Sequence, residues 1–438
     1  MESKLLYQLH DKPPLWISVL YALQWFFFIF ASTLVIPVVV GQAFGLSQIE
    51  HAAFIQRTFL VVGIASFLQV MFGHRYPVVE GPAGMWWGIF IILINLASAL
   101  GKTATEIGQS LELGLIITGI MLAVLGWTGT ISKIFKFFSP IITGTYMILL
   151  TISMSGPFIK GMLGIGFHGS NTIKWPIAVL SVFLTGFVIY LSTGKKAVLR
   201  SFSILIGISA GWLIYAVLGL ADKPVMIESS LFTLPELFAF GKPVFDVGVI
   251  LTSILTGFIL ISNMITSIAV MGAAAEIEPG SRTFNHGGVF TGVTHMLSGA
   301  FATIGMVPLA IAASMVEITG VAAILPFILA ALMMIVIGLI PSIGMFFAAL
   351  PAPVGYAVLF TTFAQLISFG FREYGKIDFN SRNLTIIGLS LMLGTGVMFI
   401  PREVLTTVHP IFSYFLGNGL ILGVLFSMFL EHIVYRKK

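Results

Sequence analysis

Apolar residues fill this chain in blocks long enough to cross a bilayer. A hydrocarbon core about 30 Å thick takes about 20 helical residues. Laid along the chain, that ruler marks seven candidate elements at 15–41, 57–73, 77–99, 108–127, 132–155, 175–192 and 197–219. Seven more follow at 247–272, 287–304, 306–319, 321–345, 351–371, 383–400 and 410–434. Between the sets lies the most polar internal stretch, 220–246, with Asp222, Lys223, Glu228, Glu236, Lys242 and Asp246. The pattern predicts an all-α polytopic membrane protein of fourteen transmembrane elements, in halves 1–219 and 247–438 joined by that loop. Seven is odd, so a repeat of seven spans must be inverted across the membrane.

The first block, Leu15 to Gly41, is too long for the apolar part of a cleaved signal peptide and lacks a small-residue cleavage pattern, so it reads as a retained span. Fourteen spans place both termini on one side. That side collects most of the 22 Lys and Arg residues, while Arg57, Lys102, Lys160, Lys174, Lys223, Lys242 and Arg402 fall opposite. Basic loops are held in the cytoplasm, so a multi-pass protein of the cell membrane with cytoplasmic termini is expected. Composition sharpens the picture. The chain is 58% hydrophobic and 9% charged, with a mean hydropathy of +1.05, whereas soluble domains carry roughly 25% charged residues. The lipid bilayer is the expected partner, and the net charge of +5 belongs to loop asymmetry rather than to nucleic acid. Cysteine is absent, which excludes disulfides and thiolate metal sites.

Two elements interrupt themselves. "RYPVVEGPAGMWWGIF" (75–90) is the third of the first half, and "GMVPLAIAASMVEITG" (305–320) the third of the second. The fifth elements, "FSPIITGTYMILLT" (138–151) and "LPAPVGYAVLFTT" (350–362), also echo each other in proline and glycine. Short Gly/Pro-broken segments at matching places in two halves point to a transporter's binding site. Pro77 and Pro82 push Tyr76 and Gly81 toward extended backbone. A half-helix is then expected from Pro82 or Ala83, and Pro308 sets up a second through Ala312 to Thr319. Unwound backbone at membrane depth survives only when paired with protein or lining a wet cavity. The two extended segments are therefore expected to pair, leaving two half-helix N-termini with free N–H groups facing one polar ligand.

An ionisable group inside the membrane is a site candidate by default. Glu80 fits proton coupling or capping of the half-helix. Glu317 fits a proton carrier, a substrate acceptor, or a carboxylate snorkelling to a membrane face. Glu112 and His295 read as structural. Ser262 and Asn263 sit mid-span in "FILISNMITS", where polar groups either link helices or meet a ligand. The Asn263 amide offers the donor and acceptor that an oxopyrimidine or purine edge needs, and Gln24 offers the same from span 1. Gly84 allows close backbone approach, Met85 lines the same spot, and Ala312 and Ala313 open the second half-helix. Trp86 and Trp87 form an interfacial belt, or Trp86 contacts the face of a flat ring. "GSRTFNHGG" (280–288) reads as a linker. No P-loop, HExxH or paired-carboxylate motif is present, so neither ATP, a metal nor any cofactor is expected, and the chain does not read as an enzyme.

"ALQWFFFIFASTLVIPVVVG" (22–41), "YPVVEGPAGMWW" (76–87) and "LPAPVGYAVLF" (350–360) resemble the first, third and twelfth spans of the nucleobase–cation symporter-2 family, the nucleobase–ascorbate transporters. Within it the chain is similar to bacterial uracil and purine permeases over nearly its full length. The resemblance implies a core domain of spans 1–4 and 8–11 and a gate domain of spans 5–7 and 12–14. It also implies proton- or cation-coupled import of uracil, xanthine or another purine, often by a homodimer. Three positions depart from the family pattern. Ser262 or Asn263 stands at the place of its span-8 glutamate, and Gln24-Trp25 at that of its Gln-His pair. Ile311, Ala312 and Ser314 replace its Glu/Gln-Asn pair and glycine, while Thr319-Gly320 remains. Two other readings stay open: an anion transporter of sulfate or bicarbonate type on the same scaffold, which would favour an Arg or Lys near the site, and a non-transporting membrane scaffold.

Overall fold

The computed structural model describes all residues except 1–4, 132, 134–138, 195, 197–198, 201, 224–229, 406–415 and 437–438. The start of the fifth predicted element, Glu228 of the connecting loop, and the first residues of the last element lie outside the described residues.

In the first half, α1 (Leu15–Ala43) runs 29 residues behind Pro14, and α2 (Gln48–Met71) starts on a capping box made by Ser47 and Glu50. That cap explains why α2 begins before the apolar run at 57: its two orphan donors are satisfied from within the sequence. The chain then passes through strand β1 (Glu80–Pro82) into the half-helix α3 (Gly84–Leu96). A second capping box, Thr103 with Glu106, opens α4 (Ala104–Trp127). Helix α5 (Pro140–Met162) has Ser139 as its cap and proline in its first turn, where a missing N–H is harmless. Helices α6 (Trp175–Thr193) and α7 (Ser203–Val217) complete the half.

The second half repeats the plan. It contains α8 (Val247–Ala274), α9 (Ser281–Ala300), strand β2 (Met306–Pro308), a 3-10 turn at Ala310–Ala312 and the short α10 (Ala313–Thr319). Helices α11 (Ile324–Gly338) and α12 (Pro341–Ala348) follow, then α13 (Ala352–Tyr374), α14 (Ser381–Val397) and α15 (Gly419–Phe429).

Two expectations need amending here. The element predicted over 321–345 is not straight: α11 and α12 meet at a 79° bend, where Pro341 cannot donate into the preceding turn. The presumed linker at 280–288 is helical and forms the first turns of α9. The missed turns, Ser281–His286, are polar, while the buried face further along α9 is Gly287, Gly288, Thr291, Gly292, Thr294, His295, Ser298 and Gly299. Among the described helices, seven are long and apolar enough to cross a membrane alone. The other elements are half-spans, bent pairs or shorter helices.

The helices pack in two groups. One holds α1, α2, α4, α8, α9, α11 and α12 with both strands; the other holds α5, α6, α7, α13, α14 and α15. Within the first, α4 and α9 touch main chain to main chain. A methyl group on Gly119 would lie 2.6 Å from the Gly292 carbonyl oxygen, and one on Gly126 would meet the Asn285 carbonyl at 2.7 Å. Small residues let membrane helices approach this closely. The connecting loop is fastened too: the Phe240 N–H donates to the Glu112 carboxylate at 3.2 Å, and Lys102 pairs with Asp246.

The strands run antiparallel, Glu80 opposite Pro308, Gly81 opposite Val307 and Pro82 opposite Met306, all buried. The pairing extends past both ends, where the Leu309 N–H donates to the Val79 carbonyl and the Ala83 N–H to the Gly305 carbonyl, each at 2.9 Å. Backbone that leaves the helix is thereby satisfied inside the membrane.

Gly292→Leu is expected to force α4 from α9 and cost about 1–3 kcal/mol or more, visible as lost monodisperse protein in size-exclusion chromatography. Gly186→Leu, with nothing within 4 Å of its added Cβ, is expected to leave the profile unchanged.

Candidate functional site

The strand crossing leaves an unusual helix start beside it. Ala83 is extended and supplies no side-chain cap, and its own N–H is spent on Gly305. The first helical bond of α3 runs from the Trp87 N–H to the Ala83 carbonyl at 3.2 Å. The amides of Gly84, Met85 and Trp86 therefore point out of the positive end of a 13-residue helix, where such groups bind electron-rich atoms. On the other strand the expected half-helix start is different: Leu309 leads into the 3-10 turn, and α10 begins one residue later than expected, at Ala313. Ala312 and Ala313 are both buried there.

Helix α8 passes this crossing and packs against α3, β2, the 3-10 turn and α10. It carries Ser262, buried, and Asn263, half-buried. Gln24 is exposed on α1, on the strip that also exposes Leu20 and Phe27. Met85 is buried, and Gly84 is only half-buried.

The tryptophan pair separates into two roles, neither of them an interfacial belt, since both rings are buried. Trp86 is fully enclosed; its Nε1 donates to His295 Nε2 at 2.7 Å, and a Cβ on Gly305 would run into its ring. The ring that the sequence suggested for stacking thus ties α3 to α9. Trp87, one residue on, turns toward the second helix group: its ring lies 4.4 Å from Phe363 and 5.6 Å from Phe158, centroid to centroid, both edge-on. Its Nε1 has no hydrogen-bond partner among the described residues. A Cβ on Gly84 would sit 3.9 Å from that nitrogen and 3.8 Å from Phe363, so there is room between them. The start of α3 thus sits beside an indole N–H that has no partner among the described residues, with the Phe363 ring next to both.

Glu80 does not cap α3, which has no side-chain cap. Its backbone N–H donates to Ser66 Oγ at 3.1 Å, and one carboxylate oxygen lies 3.4 Å from His74 Nε2. His74 was not singled out by the sequence; its only signal is a position six residues before Glu80. Glu317 is exposed on α10. No Arg or Lys occurs in β1, α3, α8, β2 or α10. At the far end of α3, a cavity of about 520 Å³ opens between the helix groups, lined by Asn95, Lys160, Tyr356 and Asn418 among others.

A family model named Xan_ur_permease, described as the Permease family, matches residues 17–403. The chain belongs to the nucleobase–cation symporter-2 permeases. It is a membrane transporter, not an enzyme. It is 37% identical over 415 residues to the putative purine permease YwdJ of Bacillus subtilis, covering 93% of each chain. It is 25% identical over 424 residues to the uric acid permease PucK of the same organism, covering 95% of each. Its fold is similar to the transmembrane domain of the cyanobacterial bicarbonate transporter BicA, with a TM-score of 0.60, 16% identity, and coverage of 90% of this chain and 97% of that one. The permease thus has the seven-plus-seven inverted architecture that its halved sequence predicts.

If Trp86 and His295 hold α3 to α9 as a pair, Trp86→Phe and His295→Ala each lower thermal stability by about 1 kcal/mol. The double variant is then expected to lose less than the sum, as measured by melting of the purified protein in detergent.

Proposed function

We propose that this permease is a secondary active transporter that imports a nucleobase, an oxopurine such as xanthine or else uracil, by alternating access and proton symport. The observation that carries this reading is the uncapped first turn of α3 at the strand crossing, with its three free amides and no cation nearby. Carbonyl oxygens of an uncharged ring suit such donors. A sulfate or bicarbonate carrier would call for an Arg or Lys, and those elements carry none. The relatives named as purine and uric acid permeases support the same substrate class.

In this reading Asn263 and Ser262 meet the edge of the base from α8, the amides of Gly84 and Met85 take its carbonyls, and Gln24 contributes from α1. Ala312 and Ala313 form the floor. Trp87, rather than Trp86, contacts the ring, with Phe363 and Phe158 opposite. Spans 1–4 and 8–11 act as the moving core and spans 5–7 and 12–14 as the gate, since the donors sit on one helix group and the opposing aromatics on the other. The permease resides in the cell membrane with cytoplasmic termini, as a homodimer in the lipid bilayer.

Cells lacking their own base permeases are expected to gain saturable uptake of labelled xanthine, uric acid or uracil when they express it. No uptake of any base in the panel with the protein at the surface, or uptake of sulfate or bicarbonate instead, would overturn the reading. Asn263→Ala, which removes a donor and an acceptor, is expected to raise KM about tenfold, the equivalent of about 1.4 kcal/mol. Gly84→Val, which fills the space beside Trp87, is expected to abolish uptake while the protein still reaches the surface.

A further inference from the structure

We propose that Glu80 is the group that carries the coupling proton, and that His74 beside it is a neutral donor fixed in one tautomer rather than a second carrier. This rests on the transport reading above. His74 and Glu80 have fully buried side chains, and their hydrogen bonds decide which can titrate. The Tyr76 N–H lies 3.1 Å from His74 Nδ1. A backbone N–H only donates, so Nδ1 presents its lone pair and the ring proton sits on Nε2, aimed at Glu80 Oε1. A proton added to Nδ1 would set N–H against N–H. His295 is committed in the same way: the Trp86 N–H occupies Nε2, and Nδ1 lies 2.7 Å from the Thr291 carbonyl, which only accepts. Neither imidazole takes a proton without breaking a buried hydrogen bond.

Glu80 has that freedom. Its Oε2 has no partner among the described residues. The titratable group against it is His74, from its own segment; Tyr76 lies against His74, and His295 against Trp86 and Thr291. From α2 come the neutral Ser66 and Gln69; the nearest charge on that helix is Arg57, nine residues, or about 14 Å of helix, before Ser66. Helix α1 and strand β2 carry no charged residue, and Arg75 is exposed. An uncompensated charge is excluded from so dry a place, so closing the protein over Glu80 requires that it hold a proton. Water on one side supplies that proton to Oε2, forming the O–H bond, and water on the other side accepts it, restoring the carboxylate. Glu80 stands on the strand that leads into the free amides of α3. Proton loading and base loading are therefore conditions on the same moving piece. Glu317, exposed on α10, is not enclosed in this way.

The test uses purified full-length protein in liposomes, with labelled xanthine followed in two ways: accumulation driven by a pH gradient, and base-for-base exchange with no gradient. Glu80→Gln is expected to lose accumulation and its pH dependence while exchange stays within about threefold of wild type (about 0.6 kcal/mol). His74→Gln keeps a donor that cannot titrate, and is expected to retain accumulation with a displaced pH profile. Glu317→Gln is expected to behave as wild type. Unchanged accumulation in Glu80→Gln, or a loss in His74→Gln equal to that in Glu80→Gln, overturns the proposal. Absence of exchange with every base in the wild type would instead overturn the transport reading. If Glu80→Gln does not fold, the infrared difference spectrum between low and high pH decides. A protonated-carboxyl band that shifts in Glu80→Asp supports the proposal, and its absence in the wild type refutes it.

Discussion

Lipid offers a peptide group nothing to bond with, so any backbone that leaves the helix inside a membrane has to find its partner in protein. Here two such excursions, forced by Pro82 and Pro308, satisfy each other as β1 and β2. Nearly everything of functional interest follows from that exchange. It permits the α3 start to lie deep in the protein, it consumes the Ala83 N–H while sparing the next three, and it buries a carboxylate whose Oε1 meets His74 and whose Oε2 has no partner among the described residues. Side chains alone would not offer a row of fixed donors whose geometry costs no rotamer entropy on binding.

How the pieces share labour is clearest at the tryptophan pair. Adjacent residues on a helix point about 100° apart, so Trp86 and Trp87 face different neighbours. One bonds His295 and closes over Gly305; the other looks across to Phe363 and Phe158. Anchoring and contact are thus divided between two copies of the same side chain, which separates the stability of α3 from what it presents to the opposing helices.

The breaks at Pro82 and Pro308 were legible because proline cannot serve a helix interior, and their matching places in two halves implied that they meet. The helix rotations were not legible. Helices α1, α3 and α8 are apolar over most of their surface and carry no charge, so no charged stripe marks which side faces protein, and the sequence favoured Trp86 where the structure turns Trp87 toward the gap. Only the first turns of α9 escaped, for a different reason: Ser281–His286 carry Ser, Arg, Thr, Asn and His, a polar run that reads as loop. His74 gave no signal either, because a lone histidine near a helix end looks like a solvated one until its partner is placed. The bend at Pro341 was missed because the apolar run around it carries no charged residue and is interrupted only by Ser342.

The glycine seam between α4 and α9 has a mechanical consequence. Where helices meet through long side chains, rotamers rearrange and the contact slides by small steps. Where Gly119 and Gly292 press backbone on backbone, fewer rotamers are available to change, which favours a stiffer joint. Contacts between bulky rings, such as Phe363 on Trp87, have more rotamers to rearrange by comparison. A stiff keel on one side makes the opposite seam the hinge by default.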